Sequence, residues 1–304
     1  MSPASRRRLA YLLLALTPGF WSINYIVARA SYDVIEPHML ALLRWTFALV
    51  LMLPFARRSL SRVPIAWREE WKQMLVLGAL GMWICGAVVY LAARTTNATN
   101  MSLLYALSPV LIAAFSTWMF AERLSARQIL GVALAFGGML FVVGKGSLTN
   151  LTQVQITIGD GWTVVAMLSW TIYSLLLRKW HSRLDSFARV VVITAAGLLV
   201  LVPFTIAEAM LAGLPDLTSA KVWLLVLTAA VIPGIGAYQA YSFLQRELGA
   251  ARTGLALYLG PLWAAFFSWL LLGEPPSWYH FGGALLILPG LWFATRPAQA
   301  PRRG

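Results

Sequence analysis

The chain has 304 residues, of which 60% are hydrophobic and 12% are charged, about half the charged share of a typical soluble protein. Its 24 Lys and Arg residues outnumber 11 Asp and Glu residues, which gives a formal net charge of +13, but apolar runs separate the basic residues. This composition excludes a soluble domain and a basic nucleic-acid-binding face, and the single cysteine, Cys85, excludes an internal disulfide and a cysteine-rich metal site.

Apolar runs long enough to cross a bilayer recur along the whole chain. A helix needs about 20 apolar residues to span the hydrocarbon core. Runs of that length, bounded by charges, Gly or Pro, lie at 9–30, 37–56, 73–93, 100–121, 126–144, 161–179, 187–212, 222–244, 251–273 and 278–295. The connections are short, so we predict an all-α polytopic membrane protein with ten transmembrane helices, called predicted helices 1 to 10.

The basic residues predict the orientation of these helices. With the N-terminus in the cytoplasm, 19 of the 24 Lys and Arg residues lie on cytoplasmic segments. The outer segments carry only Arg29, Arg94, Lys145 and Lys221, whereas the acidic residues divide almost evenly between the two sides. Since Lys and Arg accumulate on cytoplasmic loops, we expect both termini in the cytoplasm and place the multi-pass protein in a bacterial inner membrane.

The two halves of the sequence are related by an internal repeat. At an offset of 152 residues, the identical residues include Pro109 and Pro261, Glu122 and Glu274, Gly131 and Gly283, and Gly138 and Gly290. At an offset of 149 residues, Trp21 aligns with Trp170. We therefore predict two five-helix repeats, 1–150 and 151–304. Because five is odd, the second repeat lies inverted in the membrane, an arrangement typical of secondary transporters that bind substrate near the midplane.

Motifs in both halves resemble those of the EamA branch of the drug/metabolite transporter superfamily. They are Phe20-Trp21-Ser22, Leu43-Arg44-Trp45, Ala106-Leu107-Ser108-Pro109, Glu122-Arg123-Leu124, Ser169-Trp170, Leu259-Gly260-Pro261 and Gly273-Glu274-Pro275. The resemblance covers essentially the whole chain and implies that helices 1–4 and 6–9 surround a central cavity, with helices 5 and 10 more peripheral. Through Trp21 and Trp170, helices 1 and 6 are most similar to those of bacterial aromatic amino acid exporters. Those exporters carry an aromatic residue just before the helix 4 proline, where this chain has Ser108.

Aromatic and polar side chains recur on one face of several predicted helices, at spacings of three, four or seven residues. The predicted substrate-binding residues are Trp21, Asn24 and Tyr25 on helix 1, Arg44 on helix 2, Trp83 and Tyr90 on helix 3, Tyr105 and Ser108 on helix 4, Trp170 and Tyr173 on helix 6, Tyr238 and Tyr241 on helix 8, and Tyr258 on helix 9. Such a set suits an amphipathic solute that stacks and forms hydrogen bonds. Core packing and hydrogen bonding between helices are the alternative interpretation.

Pro109 and Pro261 occupy equivalent places in helices 4 and 9. A proline inside a helix frees the carbonyl four residues earlier and bends the helix, so we predict kinks at both positions. Because the kink recurs in both repeats, we expect it to line the cavity. A fixed bend without a part in transport is the alternative.

Arg44 is the only charged residue well inside a predicted span. Burying an arginine at the centre of a membrane helix costs about 2.5–3.5 kcal/mol on insertion scales, so it requires a partner or water. Two interpretations remain open: it binds a substrate carboxylate through two N–H groups, or it is paired structurally with carbonyls or extends to the outer face. No carboxylate lies in the middle of a predicted span, so proton coupling has no obvious carrier.

These patterns predict a secondary transporter that exports amino acids, aromatic or hydrophobic, and related small metabolites by alternating access. Export of amphipathic drugs or other metabolites is the alternative, and a polytopic membrane enzyme or a channel is disfavoured. The expected partners are a small-molecule substrate and the lipid bilayer, with no nucleic acid, and a monomer is compatible with the sequence. We expect no cofactor and no metal site, because His38, His181 and His280 lie far apart in the sequence.

Overall fold

The structure is a computed structural model that describes residues 2–62, 69–96, 101, 104–105, 107–120, 125–147, 149–150, 156–272 and 275–295. Over these ranges the chain is helical and contains no β-strand, which confirms the predicted all-α class. Ala106, Glu122 and Glu274, which belong to the sequence motifs described above, lie outside the described residues. The predicted boundary between the repeats adjoins 151–155, which also lie outside them, so that boundary stays a prediction.

The described residues place a helix at each of the ten predicted positions. They are α1 Pro3–Ala30, α2 Pro37–Arg62, α3 Trp71–Ala92, α4 Leu107–Phe120, α5 Ala126–Val143, α6 Ile158–Lys179, α7 Ser186–Ala212, α8 Ala220–Leu248, α9 at 250–272 and α10 Trp278–Thr295. Seven of these, α1 to α3 and α5 to α8, are each long and apolar enough to cross a membrane. The polytopic membrane class is therefore confirmed.

Helix ends differ from the predicted ends where a cap or a charged turn extends the helix beyond the apolar run. Helix α1 begins six residues earlier than predicted, since the Ser2 hydroxyl accepts a hydrogen bond of 3.2 Å from the backbone N–H of Ser5. Helix α2 continues to Arg62 rather than stopping at residue 56. Apolar runs indicate the length inside the bilayer, whereas the helix itself continues into water.

Three helices are irregular near their middles. Helix α3 contains a π-helical segment at Ala79–Val88, and α8, its equivalent in the second repeat, contains one at Ala230–Ala237. Helix α9 tightens to a 3₁₀ turn at Ala256–Leu259 immediately before Gly260 and Pro261. Proline has no N–H to donate, which accounts for the change of hydrogen bonding ahead of Pro261. Segments of this kind in transmembrane helices are tolerated where they line a cavity or pack against protein.

Contacts between equivalent glycines show how the two repeats are related. Helices α5 and α10 pack closely: a Cβ atom at Gly131 would lie 2.5 Å from the Gly290 carbonyl oxygen, and one at Gly138 would lie 2.9 Å from that of Gly283. In the repeat alignment Gly131 corresponds to Gly283, and Gly138 to Gly290. Gly131 thus packs against the equivalent of Gly138, and Gly138 packs against the equivalent of Gly131. A two-fold axis generates this crosswise pattern. With five helices per repeat, this axis relates repeats of opposite topology, as predicted.

Ion pairs between helix ends fall into two groups. Arg6 pairs with Glu247 at 2.7 Å and Arg183 with Glu69 at 3.3 Å at one end of the bundle; Arg94 pairs with Glu36 and His38 with Glu208, both at 2.7 Å, at the other. We call these ends the Arg6 end and the Glu36 end. Each pair joins segments predicted to lie on the same side of the membrane, so successive helices alternate in direction.

Candidate functional site

A cavity of about 150 Å³ lies between the two repeats. This is room for on the order of ten water molecules, which suits a small solute. Eight of the predicted substrate-binding residues line it, together with both prolines: Trp21, Asn24, Tyr25, Arg44, Tyr105, Trp170, Tyr238, Tyr258, Pro109 and Pro261. Both repeats contribute to the wall, as expected for a site near a pseudo-two-fold axis.

The cavity extends from the middle of the bundle toward the Glu36 end. Along α1 the lining residues run from Pro18, near the middle of the helix, to Tyr25, in the part that leads to that end. Along α3 they are Cys85 and Val89, again in the half nearer the Glu36 end. Tyr25 keeps 38% of its surface exposed. The cavity is therefore asymmetric along the helix axes although the two repeats are equivalent.

Aromatic rings close the cavity on the side of the Arg6 end. Trp21 and Trp170, which are equivalent in the two repeats, touch each other with ring centroids 4.9 Å apart. Tyr241 packs against both, at 5.3 Å from Trp21 and 4.8 Å from Trp170. Tyr173 stacks on Trp170 at 5.3 Å, and Tyr238 also contacts Trp170. We call these five residues the aromatic cluster; Tyr173 and Tyr241 are about 1% exposed and lie behind the cavity wall rather than on it.

The Arg44 side chain is 3% exposed and is held by neutral groups. Its Nη1 donates to Asn24 Oδ1 at 3.0 Å and to the Tyr90 hydroxyl, and that hydroxyl donates in turn to Asn24 Oδ1 at 2.6 Å. The guanidinium carbon lies 4.6 Å from the centre of the Trp45 ring and 5.3 Å from that of Tyr90. Both are cation–π contacts. Tyr90 thus supports Arg44 from behind and does not itself line the cavity.

Equivalent hydrogen bonds join the helices beside both prolines. The Ser22 hydroxyl donates to the Gly260 carbonyl at 3.0 Å, which ties α1 to α9. Thr171 and Ser108 hydroxyls lie 3.1 Å apart, which ties α6 to α4. Ser22 aligns with Thr171, and Ser108 with Gly260, so equivalent positions are joined in both repeats, by a backbone carbonyl in one and by a hydroxyl group in the other. Ser108 is fully buried in this bond and does not line the cavity.

Trp83 is the predicted residue that lies farthest from the expected arrangement. Its ring stacks on Phe204 of α7 with centroids 3.8 Å apart, and it does not line the cavity. The prediction assumed regular α-helical spacing between Trp83 and Tyr90. The π-helical segment Ala79–Val88 changes that spacing, and Cys85 faces the cavity instead.

Part of the cavity wall was not predicted from the sequence. Met139 of α5 lines the cavity, although the family resemblance implied that helix 5 is peripheral. The missed lining residues are Pro18, Ser22, Cys85, Val89, Met139, Pro233, Leu257, Gly260 and Ala264. Of these, Pro18 and Pro233 carry a signal in the sequence, since a proline within an apolar run marks irregular backbone. In the described part of the chain, no group of three or more His, Cys, Asp or Glu residues is placed to hold a metal ion.

Comparisons with known proteins agree with this architecture. A solved crystal structure with 19% sequence identity has the same fold, with a TM-score of 0.74 over 97% of both chains. The chain is similar to an "Uncharacterized transporter" of Archaeoglobus fulgidus, with 26% identity over 290 residues that cover 94% of this chain and 96% of that relative. It is also similar to a "Probable amino-acid metabolite efflux pump" of Salmonella typhimurium, with 23% identity over 286 residues and 92% coverage of both.

The model of the EamA-like transporter family matches two segments, 8–144 and 157–296. One segment falls in each half of the chain, in agreement with the repeat seen in the sequence and in the packing of α5 against α10. Together the two matches cover most of the chain. The protein is a membrane transporter that belongs to the EamA-like transporter family.

Proposed function

We propose that the protein is a secondary transporter that exports amino acids, aromatic or hydrophobic, and related small metabolites by alternating access. The observation that carries this proposal is the small cavity between inverted repeats, whose wall combines aromatic rings with the hydrogen-bonding groups of Asn24 and Arg44. Aromatic walls bury an apolar side chain, and polar groups at one place on the wall orient a charged head. The Salmonella typhimurium relative, by its name, moves amino-acid metabolites outward.

Alternating access follows from the symmetry of the two repeats. The aromatic cluster occludes the cavity toward the Arg6 end. Rocking of one repeat against the other would produce the state related by the pseudo-two-fold axis, in which the cavity is open toward the Arg6 end. Trp21 and Trp170 touch each other across the pseudo-two-fold axis, so both pack on the cavity in either state. We assign the Arg6 end to the cytoplasm of a bacterial inner membrane, because 19 of the 24 basic residues lie on segments of that side.

The composition of the cavity wall supports transport down the substrate's own gradient. None of the described residues that line the cavity is Asp or Glu. Proton-coupled transporters use intramembrane carboxylates or histidines as relays. We therefore propose facilitated export or exchange rather than coupling through a carboxylate in the site.

Counterflow in liposomes tests the proposal. Purified protein is reconstituted into vesicles loaded with unlabelled L-phenylalanine or L-leucine, and uptake of the labelled amino acid from outside is followed. A transporter gives a transient accumulation above that of empty vesicles, whereas a channel gives none. The same assay is repeated with the other amino acids. If none of them accumulates above empty vesicles, the amino acid assignment is wrong.

Tryptophan variants test the location of the site. We expect Trp170→Ala to lower counterflow at least about tenfold, since truncation of a buried aromatic contact at a binding site costs about 2 kcal/mol or more. Trp118→Ala is the matched control, because Trp118 lies on α4 with 80% of its surface exposed and does not line the cavity. Equal transport by the two variants, with equal membrane insertion, would contradict the proposed site.

A further inference from the structure

Some residues that line the cavity carry hydrogen-bond donors without a partner in the described part of the chain. Among the described residues, three buried polar atoms on this wall have no hydrogen-bond partner: Arg44 Nε, Trp170 Nε1 and the Tyr258 hydroxyl. The three side chains are 3%, 4% and 1% exposed, respectively. Buried polar atoms are nearly always hydrogen-bonded, so unpartnered donors on three residues of one cavity wall are available to bind a ligand. All three offer an N–H or O–H hydrogen.

The charge of Arg44 has no counterion in the described part of the chain. None of the four ion pairs there includes Arg44, and its contacts are an amide oxygen, a hydroxyl group and two aromatic rings. The cavity wall contains no carboxylate among those residues. An unneutralised cation in a low-dielectric interior attracts an anion strongly. The field in the cavity therefore favours a negatively charged ligand and opposes a cation.

The guanidinium group is held so that one edge has no hydrogen-bond partner among the described residues. Asn24 and Tyr90 occupy Nη1, whereas no hydrogen bond within the described residues uses Nε or Nη2. The edge formed by Nε and Nη2 matches the two oxygens of a carboxylate and binds them through parallel hydrogen bonds. Gly86 lies beside this edge: a Cβ atom there would lie 3.3 Å from Nη2 and 3.0 Å from Nε1 of Trp45, the ring that packs on the guanidinium.

We propose that Arg44 binds the carboxylate of the transported solute through Nε and Nη2, and that the substrates are small organic carboxylates rather than cationic amphipathic compounds. Asn24 and Tyr90 act as positioning residues, because they fix the opposite side of the guanidinium. Trp170 Nε1 and the Tyr258 hydroxyl supply further donors on the same wall. This inference rests on the proposed function, since it assigns the substrate class of the same cavity.

Four related compounds separate the role of the carboxylate from that of the amine: L-phenylalanine, L-phenylalaninamide, phenylpropionate and phenethylamine. Binding to the purified full-length protein in detergent is measured by isothermal calorimetry and by the shift in unfolding temperature. We expect phenylalanine and phenylpropionate to bind and the amide and the amine to bind at least about tenfold more weakly, as for the loss of hydrogen bonds to a charged group. Equal affinity for phenylalanine and its amide, or no binding by either carboxylate, would overturn the proposal.

Two variants test whether Arg44 carries this selectivity. Arg44→Gln removes the charge and should abolish the preference for the carboxylates. Gly86→Ala keeps the charge but places a methyl group beside Nη2, and we expect the same preference to fall. Trp118→Ala, remote from the cavity, should retain the full preference. Gly86→Ala therefore tests the proposal even if Arg44→Gln does not fold. An unchanged preference for carboxylates in either folded variant would contradict the proposed role of Arg44.

Binding and counterflow fail in different ways. If no amino acid shows counterflow but phenylpropionate binds in an Arg44-dependent manner, the carboxylate site stands and the amino acid assignment falls. If phenylalanine shows counterflow but binds no better than its amide, the transport assignment stands and the carboxylate site falls.

Discussion

Arg44 is buried without a carboxylate partner among the residues that the structure describes, which is unusual because an unpaired buried charge is destabilising. Neutral hydrogen-bond acceptors and two aromatic rings stabilise the cation without cancelling its charge. Trp45, one of these rings, is fixed by the hydrogen bond from its Nε1 to the Met82 carbonyl at 3.0 Å. The side chain is therefore preorganised for an anion, and part of the stability of the protein is given up for it.

Asn24→Asp tests this trade between stability and binding. The replacement keeps the shape of the side chain but supplies a carboxylate 3.0 Å from Nη1, which neutralises Arg44 within the protein. We expect the unfolding temperature to rise, because the buried cation gains a counterion, and the affinity for carboxylate ligands to fall by about tenfold.

The companion variant Asn24→Ala removes the acceptor without adding charge. It leaves Nη1 and the Tyr90 hydroxyl short of a partner, so we expect a loss of about 1–3 kcal/mol in the free energy of unfolding. The opposite signs of the two changes distinguish electrostatic neutralisation from disturbed packing. A destabilised Asn24→Asp protein with unchanged ligand affinity would show that Arg44 is a purely structural residue.

At the scale of helices, each of the ten predicted apolar runs contains a helix in the described part of the chain, because the need to bury about 20 apolar residues dominates a membrane sequence. Apolar runs do not reveal where a helix departs from regular α-helical geometry. The segment Ala79–Val88 contains no charged residue, so nothing in its sequence marks a polar face, and its π-helical turns were not predicted. Trp83 was misplaced for that reason. The direction of Trp21 and Trp170 could be predicted, because equivalence in two inverted repeats is information that a single helix lacks.

The contact between α5 and α10 depends on glycines that allow close backbone approach. A Cβ atom at Gly138 would lie 2.7 Å from Leu286 Cβ, whereas one at Gly137 would meet nothing within 4 Å. We expect Gly138→Ala to destabilise the protein by about 1–3 kcal/mol, since the helices must separate.

Gly137→Ala is the matched control from the neighbouring position of the same helix. It should be neutral or stabilising by up to about 1 kcal/mol, because alanine restricts the unfolded chain and favours the helix. Unfolding in detergent, followed by circular dichroism, compares the two. Similar stabilities of both variants would mean that α5 and α10 are not held at the observed distance.

At the scale of the whole molecule, the equivalence of the repeats extends to their helix ends. Arg94 pairs with Glu36 at the Glu36 end, and the equivalent Arg246 donates to Ser186 at 3.0 Å at the Arg6 end. Arg94 thus connects the end of α3 to the segment before α2, and Arg246 connects α8 to the start of α7, one contact at each end of the bundle. In the proposed alternating access, these equivalent contacts would open and close in turn at the two ends of the bundle.

Cys85 reports on which end is open, because it is the only cysteine of the chain and lines the cavity on the side of the Glu36 end. With that end outside, we expect a membrane-impermeant methanethiosulfonate reagent to modify right-side-out vesicles faster than inside-out vesicles. A bound carboxylate such as phenylpropionate should slow the reaction, since it fills the cavity beside the thiol. Cys85→Ser measures the background. Faster modification of inside-out vesicles would reverse the assigned orientation or the open end, and labelling of Arg6→Cys in a Cys85→Ser protein from one side only would decide which.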